Sequence, residues 1–274
     1  MEIDSFWLQL VLKMIASAFV VVLATVTAEK AGAFWAALIA SLPVAAGPIY
    51  VLLALDHDAA FLSESAIGSM AATAATAAYM LSLAALCPRL PVALAIPLGL
   101  LGWLATVAAV RGLTWDIVSA SALTAGAMIV CMALTVNERR WLSPKAGDRQ
   151  WFDIPLRALL VATLVALVTS FSHALGSEAT GYAAVFPIAM TSLALILHLR
   201  QGGRAVAAVM ANSFLPMLGF VLALIALHFV APIAGSGWGL AAALSGSILW
   251  SIALLTWRYW IAPLLAGKQK ARAI

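Results

Sequence analysis

Charge is what this chain has least of. Only 9% of its 274 residues are Asp, Glu, Lys or Arg, against 65% apolar residues and a mean hydropathy of +1.07. That scarcity excludes an ordinary soluble domain, in which about a quarter of the residues are charged. Long hydrophilic stretches are missing too. The longest internal connection, NERRWLSPKAGDRQWFD from Asn137 to Asp153, is too short to bury a core of its own. Cysteine is reduced to Cys87 and Cys131, both in or beside apolar runs, which implies neither a disulfide framework nor a metal site. HExxH, paired Cys-x-x-Cys, a glycine-rich nucleotide loop and a nucleophile elbow are all absent. The sequence therefore points away from an enzyme, names no catalytic residue, metal ligand or cofactor, and contains no ATP-binding domain.

What remains is a succession of apolar runs, each about long enough to cross a hydrocarbon core of roughly 30 Å. They predict an all-α, polytopic membrane protein with nine spans: 6–27, 33–54, 62–86, 91–110, 115–136, 154–174, 180–199, 205–230 and 238–260. Residues 1–136 hold five spans, 137–153 form a linker, and 154–274 hold four spans and a basic tail. The ten-residue alternation of an outer-membrane barrel is not seen. The leader MEIDSFW is acidic, unlike that of a signal peptide, so the first run is expected to stay in the mature protein.

Lys and Arg placement gives an independent reading of topology, because basic residues concentrate in cytoplasmic connections. With the amino terminus outside, Lys30, Arg89, the Arg139, Arg140, Lys145 and Arg149 linker, Arg200, Arg204 and the tail fall inside. Only Lys13 and Arg111 fall on the outer half, while Asp56, Asp58, Glu64, Asp116 and Glu178 cluster there. The expected location is a bacterial-type inner membrane with a cytoplasmic carboxyl terminus. The net charge of +4 follows from this sorting and does not require a nucleic-acid partner.

Internal symmetry carries the functional reading. Sliding the chain by 144 positions lays Leu12-Lys13 on Leu156-Arg157, Thr25 on Thr169, Gly32 on Gly176, Pro43 on Pro187, Ser69 on Ser213 and Pro88 on Pro232. An Ala- and Leu-rich chain produces chance matches easily; the signal is one ungapped offset that recovers two prolines, a glycine and a basic pair. Five spans precede the second copy, so the two copies are expected to be inverted. Inverted repeats build many secondary transporters, with solute sites where interrupted helices of the two halves meet.

The interruptions are Pro43, Gly47 and Pro48 in span 2 and Pro187, Thr191 and Ser192 in span 7. Proline removes an intrahelical donor and can free backbone groups for a solute, although kinks for packing alone are also common. Span 3 places Ser65, Ser69, Thr73 and Thr76 on one face, and span 8 contributes Asn212 and Ser213. Such residues line cavities or allow close helix packing. Lys13 and the repeat-related Arg157 either snorkel or attract an organic anion. Glu64 is either a helix-start carboxylate or a proton-exchanging one. His57, His173, His198 and His228 have no evident metal geometry.

The sequence thus favours a secondary transporter that moves a small organic solute by alternating access, with export of an organic anion or metabolite fitting best. A proton is the least demanding coupling ion, and membrane lipid is the other expected partner. The expected site is a polar midplane cavity bounded by spans 2 and 7. The rival is a noncatalytic membrane scaffold or subunit, with a channel or an intramembrane enzyme behind it. Oligomeric state is not legible.

Overall fold

The computed structural model of the chain describes residues 8, 11–20, 22–23, 46–138, 152–257 and 259. Pro43, Glu29, Lys30, Gly32, the centre of the linker and the basic tail lie outside the described residues. Those described are helical with no strand. We number the helices α1 Val11–Val20, α2 Ala46–Asp56, α3 Ala59–Leu86, α4 Val92–Val110, α5 Ile117–Leu134, α6 Asp153–Ala184, α7 Ile188–Gln201, α8 Gly203–Ala234 and α9 Ser236–Thr256. Six helical stretches are long and apolar enough to cross a membrane: α3, α4, α5, the Asp153–Gln201 stretch, α8 and α9.

Side-chain size decides which helix is central. α3 is built largely from Ala, Gly, Ser and Thr, so neighbours approach it on every side, and 18 of its 28 residues are buried. In α4, by contrast, five of 19 are buried, leaving Leu94, Leu98, Leu101 and Leu104 exposed toward what would be lipid. Around α3 the partners alternate in direction. Thr124 of α5 donates to the Met70 carbonyl and Cys131 to that of Ala77, so α5 runs parallel to it. α8 runs antiparallel: Ser63 meets His228 at one end, while Cys87 and Gly203 meet at the other.

Glycine makes the sharpest reversals. Gly176 (φ 75°, ψ 173°), Gly202 (φ 81°, ψ 173°) and Gly235 (φ 92°, ψ 163°) share a conformation essentially reserved for glycine. Thr180 reaches back across Gly176 to the Ser172 carbonyl at 3.4 Å, so α6 is a helical hairpin and not a single rod. The reversal falls between the two spans expected at 154–174 and 180–199. The sequence expectation of a second break at Pro187 also has a structural counterpart. Helix stops at Ala184 and resumes at Ile188, with the Ile188 amide reaching the Phe186 carbonyl at 2.7 Å in an inverse γ-turn around Pro187.

The chain thereby exposes two faces. One carries Asp56 to Asp58, Arg111 to Asp116, Gly176 and Gly235; the other carries Cys87 to Arg89, Asp153 and Arg200 to Gly203.

Candidate functional site

The hydroxyls of α3 read the backbone of the interrupted span. Ser65 donates to the Ser177 carbonyl at 3.0 Å, Ser69 to that of Gly181 at 2.7 Å and Thr76 to that of Val185 at 3.1 Å. The first step is four residues on each helix, as parallel neighbours of the same pitch require, whereas the seven residues from Ser69 to Thr76 meet only four from Gly181 to Val185, where the span breaks before Pro187. Gly181 allows the approach: a Cβ there would lie 2.9 Å from the Ser69 amide nitrogen. The Val185 carbonyl, at the break before Pro187, is satisfied by Thr76, which also accepts from the Trp103 indole at 3.2 Å. Thr73 bonds back to the Ser69 carbonyl at 2.7 Å, and Thr191 couples the Tyr79 hydroxyl, at 2.7 Å, to the Pro187 carbonyl. Ser192 is buried and bonds to the Ala189 carbonyl.

A cavity of ≈ 450 Å³ lies on the other side of Tyr50, between α1, α2, α8 and α9. Gly47 and Pro48 form part of its wall, facing Phe220, Ala223 and Leu224 of α8 and Leu240, Ala243 and Leu244 of α9. Its lining is almost wholly apolar. The two hydroxyls on it are engaged, Ser17 with the Lys13 carbonyl at 2.7 Å and Tyr50 with Ser69 at 2.7 Å. This departs from the polar chamber between spans 2 and 7 that the sequence suggested. The polar side chains are spent holding α3 to the broken span, because an unpaired hydroxyl or carbonyl in hydrocarbon is costly. Tyr50, Phe220, Ala223 and Ala243 escaped the sequence reading because apolar and small residues facing a cavity resemble those facing lipid.

The expected site residues are thus divided. Gly47 and Pro48 line the cavity, with Ser69 one hydrogen bond behind it and Thr73 deeper in α3. Pro187, Thr191 and Ser192 sit on the far side of α3. Asn212, expected to face a cavity, is exposed on α8 and donates to the Ala208 carbonyl at 2.8 Å; Ser213 bonds to the Val209 carbonyl at 2.8 Å. Pro43 lies outside the described residues.

Charged groups gather at the two faces. Lys13 pairs with Asp56 at 2.5 Å, and Arg200 pairs with Asp153 at 2.8 Å on the opposite face. Arg157 lies one turn beyond Asp153 on α6. Glu64, exposed near the start of α3, accepts from Ser177 at 2.7 Å. His57 stacks on Phe61 with ring centroids 3.7 Å apart, bonds to Ser172 at 2.7 Å and lies 4.1 Å from the His173 ring. Burial, and then His173, hold its pKa below the ordinary imidazole value, with Lys13 acting the same way and Asp56 and Asp58 opposing. Asp116 caps α5 through the Val118 and Ser119 amides, which lower its pKa. No three His, Cys, Asp or Glu residues among those described could hold a metal ion.

Fold and site together define an all-helical protein whose apolar helices fit a multi-pass membrane protein, with a side cavity suited to apolar matter. No family model, curated protein or solved structure matches the chain.

Proposed function

We propose that the chain is a secondary transporter that moves a small organic solute by alternating access, built from two inverted repeats and nine spans. The observation that carries this reading is a constant register between its halves. Ala59 and Gly203 begin α3 and α8, and Val92 and Ser236 begin α4 and α9, each pair 144 positions apart. The same offset relates Asp56 to Arg200, and each of these residues ties the end of its helix to the start of the first helix in its half, through Lys13 and Asp153. The two ion pairs lie on opposite faces, and α3 and α8 cross antiparallel at the centre, as inverted copies require.

In this reading Gly47 and Pro48 contact the solute, Ser69 supports that wall through Tyr50, and Pro187, Thr191 and Ser192 form the hinge of the related span. Asn212 and Ser213 serve helix packing or lipid contact in this state. Glu64, hydrogen-bonded to Ser177, is the carboxylate best placed for proton coupling. The face with Arg89, Arg200 and Arg204 is cytoplasmic by the positive-inside rule, which puts the amino terminus outside in an inner membrane. Export of an organic anion toward the Asp56 face fits this arrangement.

One observation favours a second reading as a membrane scaffold or subunit: the α3 hydroxyls are consumed in helix contacts. Flux separates the two. Purified protein in sealed vesicles loaded with mixed organic anions should give gradient-dependent, saturable efflux that falls in Gly47→Leu and Pro187→Ala. Folded protein that moves no component of the mixture under either a proton or a solute gradient sinks the transporter reading.

A further inference from the structure

The cavity exists because one half of the molecule lacks a side chain that the other half has. In the first half, Tyr79 of α3 reaches across to Gly99 of α4, whose Cβ position would be 3.0 Å from the Tyr79 ring, and its hydroxyl meets Thr191 of α7 at 2.7 Å. Shifted by 144 positions, Tyr79 becomes Ala223, Gly99 becomes Ala243, and Thr191 becomes Gly47 in the opposite direction. All three counterparts line the cavity. Among the described residues, the space that a tyrosine fills on one side of the molecule is open on the other.

The opening is shaped for an elongated apolar body with a negative head. Its α2 wall runs from Gly47 to Leu52, a rise of roughly 8 Å, and Leu52 is about 6 Å along the helix from Asp56 at the face. A cavity of ≈ 450 Å³ falls within the roughly 300–1,000 Å³ range of small-molecule sites. That is room for one chain or fused-ring body. On α1, Lys13 lies one turn before Ser17, at the same end of the cavity as Asp56. Asp56 is partly open to solvent, with 29% of its side chain exposed, so an incoming carboxylate can take its place at Lys13 while Asp56 returns to water. The exchange leaves no charge unpaired in hydrocarbon.

We propose that this cavity is the binding site for a single-chain organic anion, its apolar body between α1, α2, α8 and α9 and its carboxylate on Lys13. The proposal rests on the transporter reading only in taking this anion to be the transported solute.

The test uses the full chain in sealed phospholipid vesicles and a photoreactive twelve-carbon carboxylate with a diazirine near its chain end. Labelling should map to peptides of the four wall helices and be displaced by unlabelled dodecanoate. Ala223→Phe, which restores the missing ring, and Ala243→Leu, placed independently on α9, should each reduce labelling about tenfold in protein that keeps its elution profile and melting temperature. Lys13→Gln should reduce labelling by the carboxylate about fivefold and leave labelling by the matching photoreactive alcohol unchanged. Equal labelling in wild type and both filling variants overturns the site. Stronger labelling by a photoreactive diacyl phospholipid that dodecanoate does not displace also overturns it, by making bilayer lipid the occupant. Efflux distinguishes the two readings. Competed labelling without flux of any solute keeps the site and removes the transporter. Solute flux that persists in Ala223→Phe after labelling is lost keeps the transporter and removes this cavity as its solute site.

Discussion

Ser69 shows how much one hydroxyl carries in hydrocarbon. It donates to the Gly181 carbonyl and meets Tyr50, so Ser69→Ala leaves two buried polar groups short of a partner, at an expected loss of about 1–3 kcal/mol. Unfolding in mixed detergent should register that loss, and Ser69→Thr should recover part of it. His57 offers a test by pH. Because its folded pKa lies below the ordinary value, the unfolded chain takes up its proton first as pH falls. Its contribution is therefore intact above the unfolded value of about 6.5 and is lost progressively below it. Melting temperature should drop between pH 7.5 and 5 in the native chain and drop less in His57→Gln. Ser69 was legible in sequence as part of a polar stripe, but its partners were not, since a spacing of three and four residues says which face is polar and not what lies opposite.

At the scale of the helix, three positive-φ glycines replace connections. A Cβ at Gly176 or Gly202 would meet nothing within 4 Å among the described residues, so the cost of Gly176→Ala or Gly202→Ala is conformational, about 1–3 kcal/mol each. Gly181→Ala should cost more, because its Cβ would collide with the α3 backbone at Ser65 and Ser69. Comparing the three melting curves separates strain from collision. Two helix starts are marked by caps that the apolar runs from 62 and 115 did not use: Asp58 caps α3 with its side chain on the Phe61 amide, and Asp116 closes a capping box on α5. The hairpin at Gly176 was readable as a gap between apolar runs. Its single-residue tightness was not, since the polarity of TSFSHALGSEAT, Thr169 to Thr180, is equally compatible with a longer loop.

At the scale of the molecule, the antiparallel crossing of α3 and α8 is open to direct measurement. In a background with Cys87 and Cys131 replaced, the Ser63→Cys and His228→Cys pair should cross-link, because these side chains meet at 2.9 Å. Pairing Ser63→Cys with Arg204→Cys should not, since Gly203 packs against Cys87 at the other end of α3. The reverse result would overturn the arrangement of the two halves.

Composition and apolar run length were enough to determine a helical protein suited to a membrane, because hydrocarbon tolerates only backbone that satisfies itself. The starts of α3 and α8, and of α4 and α9, lie 144 positions apart, the offset on which the proposed repeat rests. Which polar groups face a cavity was decided by tertiary structure alone. Apolar residues carry no directional signal in a chain whose outside is also apolar, and hydroxyls pair with whichever backbone comes within reach. Packing therefore turned the Ser and Thr stripe inward to the broken span and Asn212 outward, and left the open space beside Gly47 and Pro48.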